Sequence, residues 1–158
     1  MSTCNDILKP GHMRGEAQVV KLEYVQVLDK VVDWKEAIRV AAAPLLENNI
    51  ITENYIDKMI ETVVTMGAYI VISKDIAIPH ARPEDGASRT AISLLKLRNR
   101  VNFAEDKDIN VIMALASSNS DDHIRILKDI ATLLSNTDNY KKLMDTYDVG
   151  ELYELFNN

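Results

Sequence analysis

Two stretches, TAISLLKL at residues 90–97 and INVIMALA at 109–116, restrict the folds open to this chain more than any other feature. Each is short, apolar and partly β-branched, the form of a strand buried on both faces. Such a sheet needs helices above and below it, and the rest of the chain provides them. Asp33 with Glu36 has the form of a capping box, and Trp34, Ala37, Ile38 and Ala41 then recur at helical spacing. Pro44 falls inside that pattern and predicts a kink or break near Ala43. A second helix is expected after Thr52, with Ile56, Met59, Ile60 and Val63 on one face and Gly67 as its stop. The helical period returns after Ser120 with Ile124, Leu127, Ala131 and Leu134, and two short helices are expected over 138–146 and 148–156. VVKLEYV (19–25) alternates as a half-buried strand does, and AYIVIS (68–73) reads as a third short apolar strand. The order is β-α-α-β-β-β-α-α-α. It predicts an α/β (α+β) fold: a three-layer α/β/α sandwich around a mixed sheet of about four to five strands.

The bulk properties narrow the function. A chain of 158 residues fits one domain over 1–158, with 1–18 as a loose leader in which His12 is given no function. A net charge of −6 without a clustered basic face argues against nucleic acid. Cys4 is the only cysteine, so there is no disulfide framework and no thiolate metal site. No apolar run reaches membrane-spanning length and no signal-peptide core is present. A soluble, cytoplasmic chain is expected.

The chemistry concentrates in KDIAIPHARPEDG, residues 74–86. Pro79 fixes its own φ and pushes Ile78 toward extended geometry, so His80 leaves a strand end in a narrow range of directions. Pro83 stiffens the other flank and Asp85-Gly86 is a turn signal. Restraint on both sides of an imidazole is useful when the ring must meet a reactant in one orientation. Read alone, a histidine at a strand end is more often a surface or hydrogen-bonded residue, and the prolines can simply make a turn.

A second stretch changes the balance. In SSNSDDHIRIL (117–127), His123 falls in the first turn of a helix with Ser120 as its expected N-cap. That turn offers free N–H groups to an anion, and its dipole favours a neutral imidazole. The loop follows strand 109–116 as the His80 loop follows its own strand. If those strand ends lie side by side, two histidines, Arg82 and a helix N-terminus converge, a set suited to a transient phosphate. A metal site on His80, His123 and Asp121 or Asp122 has no tight ligand spacing. A Ser/His/Asp triad lacks its nucleophile elbow, and neither a phosphate loop nor a dinucleotide fingerprint is present. The run Glu105–Asp108 reads as a solvated turn, and Met59, Met66 and Met113 as core residues.

Taken together, GAYIVISKDIAIPHARPEDG, VNF at 101–103, INVIMALASSNSDDHIRIL and DWKEAI resemble the enzyme IIA components of the bacterial phosphoenolpyruvate-dependent sugar phosphotransferase system, mannitol/fructose class. The proline-flanked PHARPEDG is most similar to the ascorbate-type branch, and the resemblance runs from about residue 19 to the end. It implies that His80 accepts phosphate from the phosphocarrier protein HPr and passes it to a cysteine of the IIB component, which feeds a membrane IIC permease. It implies that His123 supports the phosphorylated imidazole and that no cofactor or metal takes part. Two departures stand out. Mannitol-type members carry arginine about where Val64 stands, which makes Arg82 the candidate for phosphate stabilisation. Ser73 and Lys74 replace the small residues or Pro-Gly pair common in ascorbate-like members. An apolar patch rimmed by charge is expected around the His80 loop. A free-standing regulator that signals through His80, and a binding module with a structural His80, are the competing readings.

Overall fold

The computed structural model describes residues 20–67, 69–104 and 106–157. The leader with Cys4 and His12, and the expectations that touch Val19, Ala68 and Glu105, lie outside the described residues. The chain runs β1 (Val25–Leu28), α1 (Trp34–Glu47), α2 (Glu53–Met66), β2 (Ile76–Ala77), β3 (Ala91–Ala104), β4 (Lys107–Ala116), α3 (Ser120–Ser135), α4 (Thr137–Asp145) and α5 (Val149–Asn157). Short 3-10 turns at Leu22–Tyr24 and Pro83–Asp85 precede β1 and β3. Four strands form one mixed sheet in the order β1-β3-β4-β2. The β1–β3 and β2–β4 pairs are parallel and the β3–β4 hairpin is antiparallel.

The double burial expected of β3 and β4 is what makes three layers. Ala91, Leu95 and Leu97 of β3 and Ile112 and Ala114 of β4 pack with Ile38, Ala41, Leu45 and Met59 of α1 and α2. The alternate residues Ile92, Leu94, Val111, Met113 and Leu115 pack with Ile126, Ile130, Leu143, Leu152 and Phe156 of α3 to α5. Each large aliphatic side chain fully removed from water contributes about 1.5–3 kcal/mol, so the two-faced core is the main stabilising element.

Several local expectations are corrected. Within the described part of the alternation expected at 19–25, residues 20–25, Leu22–Tyr24 is a 3-10 turn and the strand begins only at Val25. The described part of the run expected at 68–73, residues 69–73, holds no strand either, only an isolated bridge from Val71 to Ala77. Ile76–Ala77 takes that place, and the preceding segment lies along its edge through Ile72 N–H to the Ile76 carbonyl and Ile78 N–H to the Ile70 carbonyl, both 2.9 Å. Periodicity identifies an apolar extended run, but the pairing partner decides which residues join the ladder. Lys107 and Asp108 open β4 instead of extending a turn, and the turn residue Asp106 adopts φ 62°.

Pro44 neither breaks nor ends α1, which continues to Glu47. Proline withholds the N–H that would bond the Val40 carbonyl. That carbonyl instead accepts the Gln26 side-chain amide at 2.7 Å. The neighbouring Ala41 carbonyl accepts the Ser93 hydroxyl. For the Val40 carbonyl the sheet thus supplies the donor that the helix lacks. The capping box at Asp33 is present in modified form, with Glu36 N–H donating to Asp33 Oδ1 at 2.9 Å and Glu36 Oε1 accepting from Val32 N–H at 2.6 Å. The second helix has its expected ends, capped by Thr52 and stopping at Gly67 with φ 85°.

Candidate functional site

The two loops singled out above meet because of sheet topology. β2 and β4 are adjacent and parallel, so the His80 loop and the N-terminus of α3 leave the same end of the sheet. Ligand sites in sheets with parallel strands collect at such strand ends. His80 itself still pairs with Leu115 through an isolated parallel bridge, and Leu115 N–H donates to the Pro79 carbonyl at 3.0 Å.

The flank after His80 is fixed as firmly. Asp85 N–H donates to the Arg82 carbonyl at 2.8 Å and Arg82 N–H returns to Asp85 Oδ2 at 3.1 Å. Thr52 N–H donates to the Gly86 carbonyl at 3.1 Å, which fastens the turn to the start of α2. Gly86 sits at φ 133°, and a Cβ there would stand 2.0 Å from Thr52 Oγ1. Only glycine meets both conditions.

His80 and His123 lie edge to face, with ring centroids 4.7 Å apart and planes at 66°. The Tyr69 ring meets His80 edge-on at 5.8 Å. His80 Nδ1 is 2.9 Å from the Ile78 carbonyl, and since a carbonyl only accepts, Nδ1 carries the proton. Nε2 is therefore the basic, nucleophilic nitrogen. Burial holds the His80 pKa below the usual imidazole value, against the opposing pull of the Ile78 carbonyl. Burial and the His80 charge hold His123 below it too. Both rings are neutral near pH 7.

The cap of α3 is Asn119, one residue before the expected Ser120, with Asn119 Oδ1 accepting from Asp122 N–H at 2.8 Å. His123 N–H is taken by the Asn119 carbonyl at 3.2 Å. By helix geometry the Ser120 and Asp121 amides have no intrahelical acceptor and are the donors this turn offers an anion. Arg82 is exposed, with its guanidinium 3.8 Å from Glu84, and lines the same cleft as the histidines. That cleft has a volume of about 660 Å³.

The face of α2 turned to the cleft carries Lys58, Glu61, Thr62, Thr65 and Met66, and Val64 is absent from its lining. The position that could bear a positive group toward His80 on this helix is thus one of those five, not Val64. Met66 is no core residue, being 71% exposed at the cleft, whereas Met59 and Met113 are buried as expected. With Tyr69 and Ile124, itself 53% exposed, Met66 forms the expected apolar patch, rimmed by Lys58, Glu61, Arg82 and Asp85.

Two site residues escaped the sequence reading. Tyr69 lies within the apolar run 68–73, and an aromatic residue two positions after a helix-stopping glycine was the available signal. Tyr55 lies on the buried face of α2, with its hydroxyl 3.1 Å from the Ala81 carbonyl and 2.9 Å from the Leu115 carbonyl. Its signal was weaker: a phenol among aliphatic side chains needs a polar partner, but the sequence does not say which.

The family model for the phosphoenolpyruvate-dependent sugar phosphotransferase system, EIIA 2, matches residues 18–158. The mannitol-specific cryptic phosphotransferase enzyme IIA component of Escherichia coli (strain K12) is 31% identical over 132 residues, 83% of this chain and 90% of that protein. The ascorbate-specific PTS system EIIA component of the same strain is 28% identical over 126 residues, 77% of this chain and 81% of that one. The solution structure of the mannitol-specific cryptic enzyme IIA from Escherichia coli superposes with a TM-score of 0.81 at 29% identity, covering 87% of this chain and 95% of that one.

Proposed function

The chain belongs to the EIIA 2 family of the phosphoenolpyruvate-dependent sugar phosphotransferase system, and from that premise we propose that it relays phosphate through Nε2 of His80. The observation that carries this reading is the Nδ1 contact with the Ile78 carbonyl, which leaves the other ring nitrogen as the nucleophile, beside His123. The Nε2 lone pair attacks the phosphorus of a donor phosphohistidine. A new N–P bond forms, the donor's N–P bond breaks, and its electron pair returns to the donor ring. No proton has to move, because the Nδ1 proton stays on its hydrogen bond. The loose transition state places charge on three equatorial oxygens. His123, Arg82 and the first amides of α3 are the groups of this chain that meet that charge. No step calls on a metal or a cofactor.

The donor is the phosphocarrier protein HPr and the acceptor a cysteine thiolate of the cognate IIB component. The thiolate attacks phosphorus, an S–P bond replaces the N–P bond, and His80 returns to its neutral form. The IIC permease takes part only indirectly. The apolar patch with a charged rim suits two successive, reversible docking events. We place the chain in the cytoplasm, a single relay domain over its length. Among the described residues, no helix is long and apolar enough to cross a membrane.

For the sugar, the PHARPEDG loop favours an ascorbate-type system, while the mannitol-named relative favours a mannitol-type one. The experiment that decides is transfer. The chain, phosphorylated by phosphoenolpyruvate, enzyme I and HPr, is mixed in turn with IIB of an ascorbate and of a mannitol system. Rapid transfer to the ascorbate IIB supports the reading, transfer to the mannitol IIB alone reassigns the sugar, and transfer to neither favours a regulator.

A further inference from the structure

We infer that Tyr55 is a positioning residue for this phosphoryl transfer, holding the backbone on both sides of His80 through its hydroxyl. The inference rests on the relay reading above, and it concerns a residue that touches neither the phosphate nor the imidazole.

The parallel ladder between β2 and β4 runs out at His80 and Leu115. The last carbonyls of a ladder have no further strand amide to accept from, and buried carbonyls need a donor. Here the donor comes from another layer. The single Tyr55 O–H is shared between the carbonyl of Leu115, whose own N–H holds the Pro79 carbonyl before His80, and that of Ala81, the residue after His80. One phenol thereby ties the histidine's strand end to the end of β4 and both of them to α2.

Tyr55 is itself well fixed. It sits in the first turn of α2, its N–H donating to Oγ1 of the N-cap Thr52 at 3.2 Å. Thr52 in turn is packed against Gly86 of the turn that follows the histidine loop. The ring is fully buried, and burial raises the phenol pKa to about 12. The hydroxyl is therefore a proton donor at every pH at which the relay works. Pro79 and Pro83 limit what the loop can do, the Leu115 amide holds it to β4 before His80, and this hydroxyl holds it after His80, where it is carried toward His123. Without it the His80 backbone could shift against the α3 terminus, and displacement by about 1 Å can cost up to roughly 100-fold in rate.

The test is Y55F, which keeps the ring and removes only the oxygen. It is compared with the parent, with I56V as a core truncation on the same helix, and with H80Q. The phosphorylation rate by HPr is measured by rapid quench as a function of HPr concentration, and the His80 tautomer by nitrogen-15 NMR. We expect Y55F to lower kcat by roughly 10- to 100-fold with KM for HPr unchanged, and to lose the fixed Nδ1–H tautomer. I56V should keep both. Parent-like kcat and tautomer in Y55F would overturn the inference while leaving the relay intact. Failure of the parent to gain a phosphate that H80Q abolishes would instead remove the relay reading itself. Should Y55F not fold, amide exchange in the parent decides. The Leu115 amide must then exchange as slowly as those of central β4, and fast exchange there would show a loose strand end and reject the role.

Discussion

Two nitrogen bases of this sheet, one half-buried and one fully buried, stand against backbone carbonyls, and they are satisfied to different degrees. At the β2 end, His80 gives one N–H to one carbonyl and keeps its second nitrogen for chemistry. Within β3, Lys96 is fully buried, and its Nζ donates to the carbonyls of Leu143, Met144 and Thr146 at 2.5, 3.0 and 2.8 Å. The Tyr147 ring closes over the same ammonium at 3.9 Å. The three carbonyls belong to the C-terminal end of α4, where the helix dipole favours a cation. Every donor of Lys96 has a place to go, and its position is one of fixed structure. A base whose hydrogen-bonding capacity is used up holds a fold together, and a base with one site left over can react.

The contrast can be broken by substitutions that act on one side only. The largest expected effect is on rate: H123A should slow phosphorylation of His80 by roughly 100- to 1000-fold, as loss of a transition-state donor does. Its unfolding free energy from urea titration should change little, by about 0.5 kcal/mol or less. K96M should do the reverse. It leaves three carbonyls without their donor and should cost about 1–3 kcal/mol of stability in the same urea experiment, with the phosphorylation rate unchanged. A K96M chain that loses rate but not stability would dissolve the distinction.

The smallest effects are those of pH. Burial lowers the pKa of His80 in the fold, and burial with the His80 charge lowers that of His123, while in the unfolded chain both titrate near about 6.5. Between the folded and unfolded values the unfolded chain binds more protons. Stability contributed by the two neutral rings is thus present above pH about 6.5 and is lost as pH falls through that value toward the lower folded pKa. Equilibrium unfolding followed from pH 7.5 downward should show this decline, and it should be shallower in H80Q. In the same variant the His123 midpoint, read by NMR, should move up, because the His80 charge that depresses it is gone.

The fold was readable where a pattern is local and the partner is generic. Double-sided apolar runs placed β3 and β4, Thr52 and Gly67 bounded α2, and the chain order implied three layers. Patterns that depend on a distant partner misled. Pro44 looked like a break because its remedy, the Gln26 amide, lies on β1, 14 residues before the Val40 carbonyl it serves. The strand expected at 68–73 gave way to Ile76–Ala77 because register against β4, not apolarity, selects the paired residues. In the site, His80 and His123 were legible through their flanking sequences, and parallel pairing of β2 with β4 answers whether they meet. Tyr55 was not legible, since its hydroxyl serves carbonyls 26 and 60 residues further along the chain. Lys96 was hidden in the same way, its acceptors lying 47 to 50 residues away.

The most direct test of the central claim is intact mass after incubation with phosphoenolpyruvate, enzyme I and the phosphocarrier protein, with H80Q run beside the parent. The account predicts one acid-labile phosphate on the parent and none on H80Q. A parent that gains no mass under conditions that phosphorylate a reference enzyme IIA, or an H80Q chain that gains the same phosphate, would contradict it.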